Sequence, residues 1–321
     1  MSLIKNATAY IANLGDLTLL GNHLESIPHV PPLSTERRSS GFVPPFDNED
    51  GEYVVKFPDG ALFCMQIDEK MIPASAVKTE IQARVKEYLE STGRKHAGKA
   101  VKADIKQQVL QDLCIKAPIR TTHVNVFYHL PTRVMIVNAT SSKITDLLVS
   151  AIVQAVGTVT IESIQFENAR RNLATRLAAY LPDSPDTDGD GLAFEEFTPG
   201  GDVVLTDAND QKISFKLSDL SNSADAIRES LTHGFVVDSI RLECSGGDFK
   251  LATLASTPTL RGINVAENDD DTSEEEQWFQ DAVWETTNLA QIIVDLRALF
   301  PSSNTSTEEG AEEAAVGSET D

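Results

Sequence analysis

Between His123 and Ile164 a strand pair, a helix and a further strand follow one another in close succession. His123–His129 and Val134–Val137 read as strands joined across Leu130-Pro131-Thr132. Ser141 and Ser142 are N-cap candidates for a helix running to Val156, and Gly157 ends it. Thr158–Ile164 then reads as another strand. This order indicates an α+β sheet layer rather than a doubly wound one.

The rest of the chain extends that layer. Tyr53–Phe57 and Ala61–Ile67 read as strands joined at Pro58-Asp59-Gly60. Val77, Ile81, Val85 and Tyr88 or Leu89 then recur at helical spacing, as do Val101, Ile105, Val109 and Leu113. The polar, glycine-broken stretch Ser91–Lys99 separates the two, which makes a protruding αα-hairpin with a basic tip. Each stripe is narrow, so much of either helix stays wet or meets a partner. Residues 167–180 read as a helix carrying Arg170, Arg171 and Arg176. Asp183–Gly201, rich in proline, glycine and aspartate, reads as a boundary. Beyond it, strands are expected at Lys212–Leu217, Phe235–Cys244 and Phe249–Leu254, with a helix at Ser223–His233 and a turn at Ser245–Asp248. The acidic run Glu267–Glu276 leads into a helix from Gln277 to Phe300, and Pro301–Asp321 has a disordered composition. The expected division is an N-terminal α+β region (1–72), the basic hairpin (73–122), a central strand–helix unit (123–182), a C-terminal α+β region (183–300) and an acidic tail (301–321). No internal repeat is visible.

Charge sharpens the interest of the hairpin. The chain carries a net −22, yet Lys70–Lys143 holds 13 Lys/Arg against 5 Asp/Glu, and the remainder holds 14 against 44. A polyanion responds to potential within about a Debye length, ~8 Å at physiological salt, more than to the net charge. The basic block is therefore either a solvated helical surface or a polyanion site. Its cations are Lys78, Arg84 and Lys86 on the first helix, and Lys99, Lys102 and Lys106 on the second. Arg94, Lys95 and His96 lie at the tip, and Lys116 and Arg120 follow. Lysines with few neighbouring aromatics suit phosphate contact rather than base stacking, which favours duplex over single-stranded nucleic acid.

Other chemistries find little support. No stretch approaches the ~20 apolar residues of a membrane-spanning helix, and Met1–Leu20 lacks the apolar run of a secretory signal. Cytoplasmic residence is expected. Cys64, Cys114 and Cys244 are odd in number and far apart, as expected of buried reduced thiols. His123 and His129 share a strand face but stand ~20 Å apart, too far for one metal. There is no phosphate-cradling glycine loop and no serine elbow, so neither a catalytic residue nor a cofactor is assigned. Asp186-Thr187-Asp188-Gly189-Asp190-Gly191 opens like a calcium loop, but position 12, where a bidentate acid belongs, is Phe197, with Glu195 and Glu196 just short of it. An acidic loop and a weak cation site both remain open readings.

In this order the features resemble the RdgC family of recombination-associated proteins. The resemblance rests on Lys5-Asn6 with Tyr10, Gly41-Phe42-Val43-Pro44-Pro45, and Lys70-Met71-Ile72-Pro73 leading into Val77-Lys78. The basic hairpin and the Phe127–Ile161 unit share in it, and it continues through Lys216–Leu254 to the acidic run. It implies a horseshoe-shaped subunit that pairs through two interfaces into a closed ring. Duplex DNA would pass through the hole and be held without sequence preference. It further implies restraint of RecA-driven recombination and association with the nucleoid. The family has an aromatic at the end of the hairpin, where this chain has Ile115-Lys116-Ala117-Pro118-Ile119-Arg120, and a Lys-Gln pair where this chain has Leu217-Ser218. The expected homodimer contacts are therefore Pro118, Ile119, Leu217 and Ser218, rebuilt with other side chains. Two rival functions are a magnesium-dependent exonuclease, which some family labels suggest, and an acidic factor whose Glu267–Glu276 run and tail bind a basic protein.

Overall fold

The computed structural model describes residues 3–45, 51–166, 168–181, 193–216, 220–253, 257–265 and 274–300. The first elements are β1 (Asn6–Asn13), α1 (Leu17–Glu25), β2 (Arg38–Val43), β3 (Val54–Phe57) and β4 (Gly60–Lys70). Two long helices follow, α2 (Ala74–Thr92) and α3 (Lys99–Lys116), then β5 (Ile119–His129), β6 (Val134–Val137), α4 (Ser142–Val156) and β7 (Thr160–Ser163). The chain continues through α5 (Ala169–Tyr180), β8 (Thr198–Thr206), β9 (Lys212–Lys216) and α6 (Leu220–Thr232). It closes with β10 (Val236–Cys244), β11 (Gly247–Ala252), β12 (Thr259–Val265) and α7 (Glu274–Leu299).

All these strands belong to one sheet in the order β2-β4-β5-β6-β1-β12-β11-β10-β8-β9, with β3 alongside β4 and β7 alongside β1. The strand pairs are antiparallel, so the fold is α+β, as the sequence indicates. β1 joins the two halves. Its start pairs with β12 (Ala7 opposite Leu260), its end pairs with β7 (Ala12 opposite Ile161), and its other edge pairs with β6.

Alternation along the strands supplies two cores, one on each face. Ile4, Ala7, Leu62, Phe127, Val134 and Ile136 point to the face where α5, α6 and α7 place Leu173, Ile227 and Leu289. Tyr10, Ala12, Phe63, Met65, Val126 and Met135 point to the other, where α1 and α4 add Leu20, Leu24, Leu148 and Ile152. β4 is buried on both faces and so reads as a continuous apolar run rather than an alternating one.

Several elements lie outside the expected pattern. β1, α1, β2, β8 and β12 are additional to the strands and helices read from sequence. β8 begins at Thr198, inside the stretch read as a boundary, and Phe194 and Phe197 just before it are core residues. Ser141 does occupy the N-cap of α4, but its hydroxyl makes no capping hydrogen bond. The calcium-like run 186–191, Leu217, Ser218 and the tail lie outside the described residues, as does most of the 267–276 run. Of the loop's candidate acids, Glu195 is engaged by Arg176 at 3.3 Å.

Candidate nucleic-acid interface

β4 and β5 pair along their whole length, from Gly60 opposite His129 to Lys70 opposite Ile119. The α2–α3 pair is thus the connection of a long β-hairpin. Gly93, with a left-handed φ of 65°, ends α2, where a glycine adopts that backbone without strain. Little of the helical pair is buried: no residue of α2, and Ile105, Val109 and Cys114 of α3. Burial of an aliphatic side chain stabilises by about 1.5–3 kcal/mol, so a few side chains hold these helices. At their base the Cys114 thiol donates to the Glu36 carbonyl at 3.3 Å, and the buried Lys70 Nζ donates to the carbonyls of Leu33 (2.7 Å) and Ser34 (2.6 Å).

The expected cations divide into two groups. Arg84 sits between Asp112 (2.8 Å) on α3 and Glu80 (3.0 Å) on α2. Donating to Asp112, and then to Glu80, raises its pKa above the ordinary arginine value. Arg120 meets Glu69 at 3.2 Å, directly across the β4–β5 ladder, and Lys86 lies 3.9 Å from Glu90. These three are at least partly neutralised. Lys78, Lys95, Lys99, Lys102, Lys106 and Lys116 are exposed and have no carboxylate partner among the described residues. Arg94, also exposed, donates to the Tyr88 hydroxyl at 3.3 Å.

Lys99, Lys102 and Lys106 follow i, i+3, i+7 spacing and so share one side of α3, over about 10 Å of axis. The N-terminus of α3 adds to them. Gly98 provides no side-chain cap, and no acid occupies the first turn. The free amide end of the helix therefore presents partial positive charge beside Lys99 without competition. Arg84 instead ties α2 to α3, a role invisible in the one-dimensional pattern.

An apolar patch flanks the hairpin's base. Met71, Ile115 and Ile119 are 43%, 55% and 47% exposed, and the Met71 amide donates to the Pro118 carbonyl at 2.9 Å. Of these residues the sequence singled out Pro118 and Ile119. Met71 and Ile115 were named there only within the stretches that carry the family resemblance, because their exposure is not visible in the sequence. Among the described residues no three His, Cys, Asp or Glu side chains converge to hold a metal, and no helix is long and apolar enough to cross a membrane.

A family model described as "Putative exonuclease, RdgC" matches residues 3–302. The chain belongs to the RdgC family. It is 25% identical over 228 residues to the Recombination-associated protein RdgC of Laribacter hongkongensis, covering 71% of this chain and 72% of that protein. The RdgC of a Janthinobacterium strain is 24% identical, covering 84% of this chain and 88% of its own length. That of Aeromonas hydrophila is also 24% identical, covering 87% and 90%.

Proposed function

We propose that this chain binds double-stranded DNA without sequence preference and acts in recombination as a ring-shaped homodimer, occupying DNA against RecA-type strand exchange. The observation that carries the reading is the set of six exposed lysines on and around the α2–α3 hairpin that have no carboxylate partner among the described residues. Phosphate contacts need unneutralised cations on an accessible surface, and they position without reading bases. A role in recombination draws support from the names of the relatives. The apolar patch of Met71, Ile115 and Ile119 around Pro118 supports one homodimer contact. The second contact is assigned to Leu217 and Ser218, which follow β9, the terminal strand of the sheet. Nucleoid association would follow from DNA binding.

The family's description keeps exonuclease activity as a second reading. A gel shift on linear and circular duplexes of unrelated sequence, with and without magnesium, tests both. The expected result is equal retardation of all sequences with the DNA intact. Magnesium-dependent loss of linear duplex supports the nuclease instead, and absence of retardation at low salt overturns the DNA-binding reading.

A further inference from the structure

In β10, β11 and β12 the residues Ile240, Leu242, Phe249, Leu251, Leu260 and Ile263 face the first core. The residues between them point the other way. Among the described residues, none from β8 to β12 belongs to the second core; the reverse face of this half-sheet is mostly polar, with the row Ser239, Ala252 and Thr259 buried and the neighbouring row more open. There the register places Arg241 opposite Lys250 and Lys250 opposite Arg261, with Asn6 beyond. Three cations thus form one cross-strand row. Like charges directly opposite one another weaken a sheet, so a row of three calls for an account.

Internal neutralisation answers only one end of it. Arg241 meets Asp248 at 2.9 Å, and Asp248 also accepts from the Asn264 amide at 3.2 Å. Arg261 donates to the Thr259 hydroxyl at 3.3 Å, and among the described residues neither Arg261 nor Lys250 has an acid partner. Glu243 and Asp248 stand opposite each other two pairs along, the next pair on this face, so a pair of acids borders the row of cations. Glycines keep the surface low beside the row. A Cβ on Gly201 would fall 2.8 Å from Arg241 Cδ, and one on Gly262 would meet only the Arg241 guanidinium nitrogens, at 3.9 and 4.0 Å. Glycine inside a strand commonly marks a place where another backbone approaches closely.

We infer that the half-buried Arg241 and Lys250 and the exposed Arg261 form a second phosphodiester-contact surface, distinct from the helical hairpin, on the polar face of this half-sheet. The row crosses two strand spacings, about 10 Å. One DNA strand places a phosphate every ~3.4 Å of helix axis, so a backbone laid along the row brings two or three charges to it. The bordering acids would repel a backbone laid across the row and so set its direction. This inference rests on the duplex-binding reading above, and it adds residues to it that no helical pattern could supply.

The test measures duplex affinity by fluorescence anisotropy across a salt series. The proteins are the full chain, K250Q/R261Q, K250E/R261E, and R297E as a control for charge at an exposed site elsewhere. Losing two contacts per subunit should reduce the slope of log affinity against log salt by about 2 and weaken binding about tenfold or more near physiological salt. Thermal midpoints should hold or rise, because the repulsion between Lys250 and Arg261 is relieved. Should the reversal variant fail to fold, the glutamine variant carries the test alone. Wild-type affinity and slope in K250Q/R261Q, or an equal loss in R297E, would overturn the inference while leaving the hairpin reading intact. Failure of the unmodified chain to bind duplex would sink the functional reading itself.

Discussion

The Glu285 carboxylate of α7 accepts the Leu3 amide through both oxygens, at 2.7 and 2.9 Å. The adjacent Ile4 amide donates to the same group at 3.0 Å. Glu285 is 5% exposed and Ile4 fully buried, while Leu3 is half-buried, so the contact pins the residues preceding β1 to the last helix. Removing the acceptor takes this partner from the buried Ile4 amide and from the half-buried Leu3 amide, and a buried amide that loses its acceptor costs about 1–3 kcal/mol. Glu285→Ala should therefore lower the stability measured by urea unfolding by about 2–3 kcal/mol. Glu285→Gln, which keeps one oxygen, should lose less. Equal and small losses in both would show that water replaces the carboxylate.

Arg84 and Lys102 should separate architecture from DNA contact. Arg84 is engaged by Glu80 and Asp112, whereas Lys102 has no acid among the described residues. Arg84→Gln should change duplex affinity less than Lys102→Gln. A double-mutant cycle between Arg84 and Asp112 should give a stabilising coupling of at most about 1 kcal/mol, as exposed pairs do. The two substitutions should be compared by anisotropy at a single salt concentration. A larger loss from Arg84→Gln would assign that guanidinium to phosphate.

How much of this was legible in the sequence depended on whether each pattern was local. The helical pair was readable because Val101, Ile105, Val109 and Leu113 keep a helical period between glycine-broken ends. β1 was not, because its Ala7, Ala9 and Ala12 are small and weakly strand-forming, and its partners lie far along the chain. β12 hid for another reason: the irregularity at Gly262 puts Leu260 and Ile263 on one face and breaks the alternation. The lysines of the candidate interface were visible as composition. Which of them are free, and the Arg241–Lys250–Arg261 row, follow only from register.

His129 gives a pH signature. Its ring is buried, with Nδ1 2.8 Å from the Thr132 hydroxyl. Desolvation pushes its pKa below the ordinary 6.5, with the Asp59 charge opposing. The unfolded chain, with the higher pKa, therefore takes up this proton first as pH falls. The contribution is complete above the unfolded value and is lost as pH drops through it toward the lower folded value. Urea unfolding from about pH 8 to about pH 5 should show a shallower decline in His129→Gln than in the unmodified chain. Parallel declines would remove His129 from the account.

Ile119→Asp should break the assembly. The residue is 47% exposed beside Met71 and Ile115, and a charge in an apolar contact is costly. Light scattering at micromolar concentration should give twice the chain mass for the unmodified protein and less for the variant. A single-chain mass for the unmodified protein would contradict the homodimer.

If the exposed cations of the hairpin hold DNA phosphates, duplex affinity must fall steeply as salt rises. For about five contacts per subunit, log affinity should fall against log salt with a slope of roughly −4 to −5, doubled if both subunits engage. Reversing Arg94, Lys95 and Lys99 together to glutamate should weaken all sequences alike and flatten that slope. The fold should persist, since all three side chains are exposed. Unchanged affinity and slope in the triple variant would mean that the hairpin is only a solvated surface, and would contradict the account.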